Sequence, residues 1–163
     1  MPTSYQQSVV SVDTALTTIG HAIAEGKSLG VAISVAVVDP SMTLVAFAKA
    51  DGATPHSVYS SRVKANTAAS TRRPTGSMND DLALALPLAT SLKLTNITGG
   101  SPLTVDGAVI GAIGIAGGTP AQDAQIAAAV ASAVRSVSAK ATMTATPAGQ
   151  LTAQGTLESN LHA

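Results

Sequence analysis

Cysteine is missing from all 163 residues. That absence excludes disulfides, zinc ribbons, iron–sulfur clusters and thiol nucleophiles. Tryptophan is missing too, and one Phe and two Tyr are the only aromatics. Charge is scarce: Asp, Glu, Lys and Arg make up 11% of the chain, against about 25% in a typical soluble domain. Nine basic and nine acidic residues leave no net charge. Phosphate binding needs a basic surplus or a basic face, so nucleic acid is not an expected partner. Arg72-Arg73 is the one adjacent basic pair. No apolar run approaches the ~18 residues of a membrane span. The first residues, MPTSYQQSVVSVDTAL, lack the basic and apolar regions of a signal peptide. A cytoplasmic protein without a membrane anchor is the expectation.

Alanine, valine, threonine and serine fill the place that charge leaves. Such small neutral side chains let subunits approach closely, so a homo-oligomer is expected. The length is ample for one core, flanked here by two less periodic segments. Residues 1–12 read as an N-terminal arm, 13–140 as the domain, and 141–163 as a low-complexity tail rich in Thr, Ala, Gly and Gln.

Hydrophobic periodicity and turn residues order the domain. Asp13 or Thr14 can cap a helix that runs to about Leu29, with Leu16, Ile19, Ile23 and Lys27 along one stripe and Gly30 as its terminator. Val31 to Val38 is almost continuously β-branched or small, the pattern of a strand buried on both faces. Asp39-Pro40-Ser41-Met42 is a turn with proline in second place, and Thr43 to Ala50 returns as a strand. A helix begins at Pro55 and packs through alanines. Met78 to Leu86 reads as a short helix capped by Ser77 or Asn79. Leu94 to Thr98 reads as a short strand. Asp106-Gly107 is a hairpin turn, because both positions favour positive φ; Leu103 to Val105 and Ala108 to Ala116 flank it. Gly111 and Gly114, inside that second strand, mark a bulge or a close approach by another backbone or a ligand. Thr119 caps a last helix with Pro120 in its first position. Hairpins with interspersed helices give an α+β fold with an antiparallel sheet.

Two stretches carry a family resemblance. The first holds Val37-Val38-Asp39, Asp51-Gly52-Ala53, Ser57 and Lys64-Ala65-Asn66-Thr67-Ala68. The second holds Gly99, Gly100, Pro102, Leu103, Asp106, Gly107, Ile110 to Gly114, Gly117, Gly118, Gln122 and Asp123. Together they resemble the GlcG/HbpS-like haem-binding, or haem-degrading, family, which is related to the PduO C-terminal domain. The likeness covers about residues 13–138. It implies a profilin-like sandwich with a central antiparallel sheet of about five strands. It also implies homo-oligomers built from dimers, and haem or a related tetrapyrrole as ligand. The sequence departs from the family pattern at Asp39-Pro40-Ser41, where an Asp-Gly-Gly turn is usual. It also lacks the aromatics often found between Arg72 and Leu92.

Six residues could serve a ligand. His56, in the loop that opens the second helix, could ligate haem iron or act as an acid–base group. Lys64 lies in the family motif; its ammonium could hold a ligand carboxylate or pair with an internal acid such as Asp51 or Asp39. Arg62 is two residues away on the same helix and so points elsewhere. Arg72 and Arg73 are carboxylate clamps in type. His21 lies beside the apolar stripe of the first helix, and His162 falls in the tail. The three histidines have no metal-ligand spacing. Three readings stay open: a tetrapyrrole-binding protein, a cofactor-independent enzyme acting on a small carboxylated or aromatic metabolite through His56 and Lys64, and a structural oligomer without ligand.

Overall fold

The computed structural model describes residues 3–144, with side chains as far as Arg135. Four helices and four strands follow one another: α1 (Val12–Ser28), β1 (Ser34–Val38), β2 (Leu44–Lys49), α2 (Ser57–Thr71), α3 (Asp80–Ala89), β3 (Gly100–Val105), β4 (Ala108–Ala116) and α4 (Pro120–Thr144). The sheet is antiparallel throughout, in the order β2-β1-β4-β3. Helices α1 and α4 pack on one face and α2 on the other.

Alternation along the two central strands explains this sandwich. In β1, Val35 and Val37 point to one side, and Ser34, Ala36 and Val38 to the other. In β4, Ile113 and Ile115 point one way, and Ala112, Gly114 and Ala116 the other. The large residues meet Ala15, Ile19 and Ala22 of α1 and Ile126, Ala127 and Val130 of α4 in the main core. The small side meets Ala65, Ala68 and Ala69 of α2. That thin layer brings α2 so close that a Cβ on Gly114 would collide with the Ser61 carbonyl oxygen. Gly111 meets the Val38 carbonyl and Val10 in the same way. Both strand glycines are therefore sites of close backbone approach.

Local signals place most boundaries. Gly30, at φ 69°, closes a Schellman motif: Val31 N–H donates to Gly26 O at 2.9 Å and Gly30 N–H to Lys27 O at 3.1 Å. Asp106 and Gly107, at φ 49° and 79°, form the expected hairpin turn. Asp39 Oδ1 accepts from Ser41 N–H at 2.8 Å and Thr43 N–H at 2.9 Å, which locks the turn containing Pro40. Thr119 and Gln122 cap α4 reciprocally, Gln122 Oε1 accepting from Thr119 N–H at 2.9 Å and Thr119 Oγ1 from Gln122 N–H at 3.3 Å. Asn79 caps α3 by accepting from Leu82 N–H at 2.9 Å.

Three expectations need correction. Ser11, not Asp13 or Thr14, caps α1, its hydroxyl accepting from Thr14 N–H at 3.2 Å. The buried stripe of α1 is Ala15, Thr18, Ile19, Ala22 and Gly26, while Leu16 is exposed. Small residues face inward because the helix lies close to the sheet, with Ile33 pressed against Gly26. Leu94 to Thr98 forms no strand, so the described sheet has four strands rather than about five. Side chains bind this segment instead: Thr95 N–H donates to Thr67 Oγ1 at 2.8 Å, and Thr98 Oγ1 donates to Pro120 O at 2.9 Å. Helix α4 continues to Thr144; the rest of the tail, with His162, lies outside the described residues.

Candidate functional site

Lys64 is the charged residue of α2 that its position would not lead one to expect: it is 3% exposed. Its Nζ stands 2.7 Å from Asp123 Oδ2 and 2.9 Å from the Ile115 carbonyl oxygen, to which it donates. Asp123 Oδ1 accepts from Gly118 N–H at 3.0 Å. The ion pair thus ties α2 to the end of β4 and to the first turn of α4. Gly99, at φ 116°, passes the pair so closely that a Cβ there would lie 3.0 Å from Lys64 Nζ and 2.8 Å from Asp123 Cβ.

His56, Ser60 and Lys64 fall four residues apart and share one face of α2. They line a cleft of about 210 Å³ with Ile97, Gly117, Gly118, Pro120 and Asp123. A second cleft of about 220 Å³ adjoins it through Ser60, Lys64 and Ile97. Tyr59 and Val63 form one wall of this second cleft, and Pro87, Leu92 and Leu94 the other. The two make a trough along α2, mainly apolar throughout, with His56, Lys64 and Asp123 at one end and Leu92 at the other. Thr67 holds the far wall in place, since its hydroxyl oxygen accepts the Thr95 N–H. His56 occupies the N-cap of α2 without making a side-chain capping bond.

The other sequence candidates lie elsewhere. Arg62 is exposed on α2 and lines neither cleft. Arg72 ends α2 in the left-handed region, at φ 56°. Sixteen residues separate it from His56, roughly 24 Å along a helix, so the two cannot grip one small ligand. It borders a polar cleft of about 700 Å³ formed with Tyr5 to Ser8, Pro40, Met42 and the Gly107 turn. Arg73 is exposed. His21 is exposed on α1, on the opposite side of the sheet from α2, at a cleft of about 420 Å³ with Thr14, Thr18, Val105, Ile110 and Val134.

The internal acid paired with Lys64 is Asp123, rather than Asp39 or Asp51. Asp39 is occupied by its own turn. Asp123 enters the sequence reading only as part of the family motif, and Ser60 only as a serine near His56. The Lys64-to-Asp123 pairing spans 59 positions, which no local pattern reveals; the spacing of Ser60 between His56 and Lys64 was visible. Among the described residues, no group of three His, Asp or Glu could hold a metal ion. No described helix is long and apolar enough to cross a membrane.

Comparison with known proteins adds a family to this geometry. Residues 10–132 match the family described as haem degrading protein HbpS-like. Protein GlcG of Escherichia coli K12 is 37% identical over 84 residues, which is 51% of this chain and 63% of that protein. The chain therefore aligns with less than two thirds of this relative's length. A double mutant of Streptomyces reticuli HbpS superposes with a TM-score of 0.73 at 32% identity, over 80% of this chain and 90% of that one. PduOC in complex with haem superposes with a TM-score of 0.71 at 26% identity, over 77% and 94%.

Proposed function

The chain belongs to the HbpS-like family, and from that premise we propose that it binds haem or a related tetrapyrrole in the trough along α2, as a homo-oligomer. The observation that carries this reading is an imidazole at the mouth of an apolar trough. A flat macrocycle needs apolar walls and, for its iron, a nitrogen donor. Val63, Leu92, Leu94 and Ile97 supply aliphatic walls, Tyr59 adds a ring, and the His56 imidazole lines the trough without making a capping bond. These residues suit the group in type. Haem, when bound, would supply electron-transfer and oxygen chemistry; the chain's own residues would grip the ring and bind the iron.

The size of the trough supports the oligomer. Each cleft is smaller than the ~300–1,000 Å³ of pockets that enclose a ligand, so one subunit would cover only part of a macrocycle. Helix α3, whose Pro87 lines the trough, has no buried residue and leaves Leu82, Leu84 and Leu88 exposed. A second copy laid on α3 would bury these leucines and close the open side.

Lys64 is held by Asp123 and Ile115, which counts against a free catalytic amine. The cofactor-independent enzyme is therefore the weaker reading. Titration with haemin, followed at the Soret band, tests the proposal: a saturable shift supports it, and no saturable change removes it.

A further inference from the structure

Lys64 has a donor to spare. An ammonium carries three N–H groups, and among the described residues two acceptors take one each, Asp123 Oδ2 and Ile115 O. The residue is 3% exposed, yet it lines both clefts of the trough. An acceptor in the cleft, from water or from a ligand, must take the remaining N–H, because an unspent donor on a buried charge is costly. The Ser60 hydroxyl, one helical turn away and lining the same two clefts, also has no partner among the described residues.

The surrounding charge selects the ligand atom. Lys64 and Asp123 cancel each other. What remains is the start of α2, which lies beside the cleft and which no side chain caps, whereas Thr119 and Gln122 already cap α4. A helix N-terminus carries a partial positive charge, so the start of α2 favours an anionic ligand atom in the cleft. We infer that the cleft between His56 and Gly118 is a carboxylate subsite. Lys64 and Ser60 donate to the ligand's carboxylate, and the adjoining aliphatic trough takes the apolar body attached to it. The inference deepens the ligand-binding reading above and rests on the trough being the ligand site, though not on the ligand being a tetrapyrrole.

A pair of small probes tests it on the whole chain. 3-Phenylpropionate and its neutral amide have the same apolar body and differ in one charged group. Each is titrated into the isotope-labelled protein at neutral pH while backbone amide resonances are followed. The acid is expected to bind at least tenfold more tightly than the amide, with the largest shifts in residues 56–64 and 116–123. Ser60→Ala, a change at a half-exposed position, is expected to reduce that preference severalfold without altering the spectrum elsewhere. Lys64→Met, if folded, is expected to abolish it. Equal affinity for acid and amide, shifts centred outside these segments, or an unchanged preference in Ser60→Ala would each overturn the subsite. Haemin is titrated separately. A haemin shift with no preference for the acid would sink the carboxylate subsite alone, and an acid preference with no haemin shift would sink the tetrapyrrole alone.

Discussion

Lys64 Nζ and Asp123 Oδ2 stand 2.7 Å apart with their side chains 3% and 4% exposed. This buried ion pair pins α2 and α4 to the end of β4 and forms the floor of the trough. Removing one partner leaves a buried charge without its counterion, which typically costs ~3–5 kcal/mol. Asp123→Leu and Lys64→Met are each expected to lower unfolding free energy by about that amount. The double variant Lys64→Met/Asp123→Leu is expected to recover much of it, because two apolar groups leave no charge stranded. Urea denaturation of all three measures the coupling; additive losses would mean that the pair carries no such energy.

Two glycines separate steric need from backbone freedom. In Gly114→Ala, the new methyl group would run into the Ser61 carbonyl and the Ala65 N–H of α2. A loss of ~1–3 kcal/mol or more is expected, since backbone cannot swing aside as a side chain can. Gly20 lies inside α1 with nothing within 4 Å of an added Cβ. Gly20→Ala is expected to stabilise by ~0.5–1 kcal/mol. Thermal melts with opposite signs for the two changes would bear this out; a neutral Gly114→Ala would contradict the close packing of α2.

Much of this fold was legible in the sequence because local chemistry fixes it. The Asp106-Gly107 turn, the Gly30 terminator, the Asn79 cap and the Thr119 cap each need only neighbouring residues. The Val31 to Val38 run announced a central strand. What stayed hidden depended on distant partners. Leu94 to Thr98 has strand-like residues, but Thr67, 28 positions earlier, captures the Thr95 N–H. The inward stripe of α1 is set by the sheet, which favours small residues there over Leu16. The site was legible only in part. His56 and Lys64 do share one trough, while Arg62, Arg72, Arg73 and His21 lie away from it. Helix length separates Arg72, and the thickness of the sheet separates His21.

The exposed leucines of α3 give the oligomer its own check. Leu84 and Leu88 are 70% and 67% exposed, on a helix with no buried residue. The chain is expected to run as an oligomer by light scattering after gel filtration. Leu84→Glu/Leu88→Glu is expected to lower its mass, because desolvating two carboxylates in an apolar contact is unfavourable. A monomeric parent chain at micromolar concentration would rule out the proposed second copy.

Thr67 positions the far wall of the trough without touching its interior. Thr67→Val keeps the volume and removes the acceptor for Thr95 N–H. A net cost of ~0.5–1.5 kcal/mol is expected, with ligand affinity falling more than stability alone accounts for. Unchanged affinity would mean that the 94–97 segment is held by other contacts.

The most direct test of the account is haemin binding by the full chain and two histidine variants, measured as the Soret spectrum against haemin concentration. The account predicts a saturable shifted band in the parent chain. His21→Ala is predicted to retain that band, and His56→Ala to lose or displace it with at least tenfold weaker binding. An unshifted spectrum in the parent chain would contradict haem binding. A band that survives His56→Ala and vanishes in His21→Ala would move the site from the α2 trough to the cleft between α1 and α4.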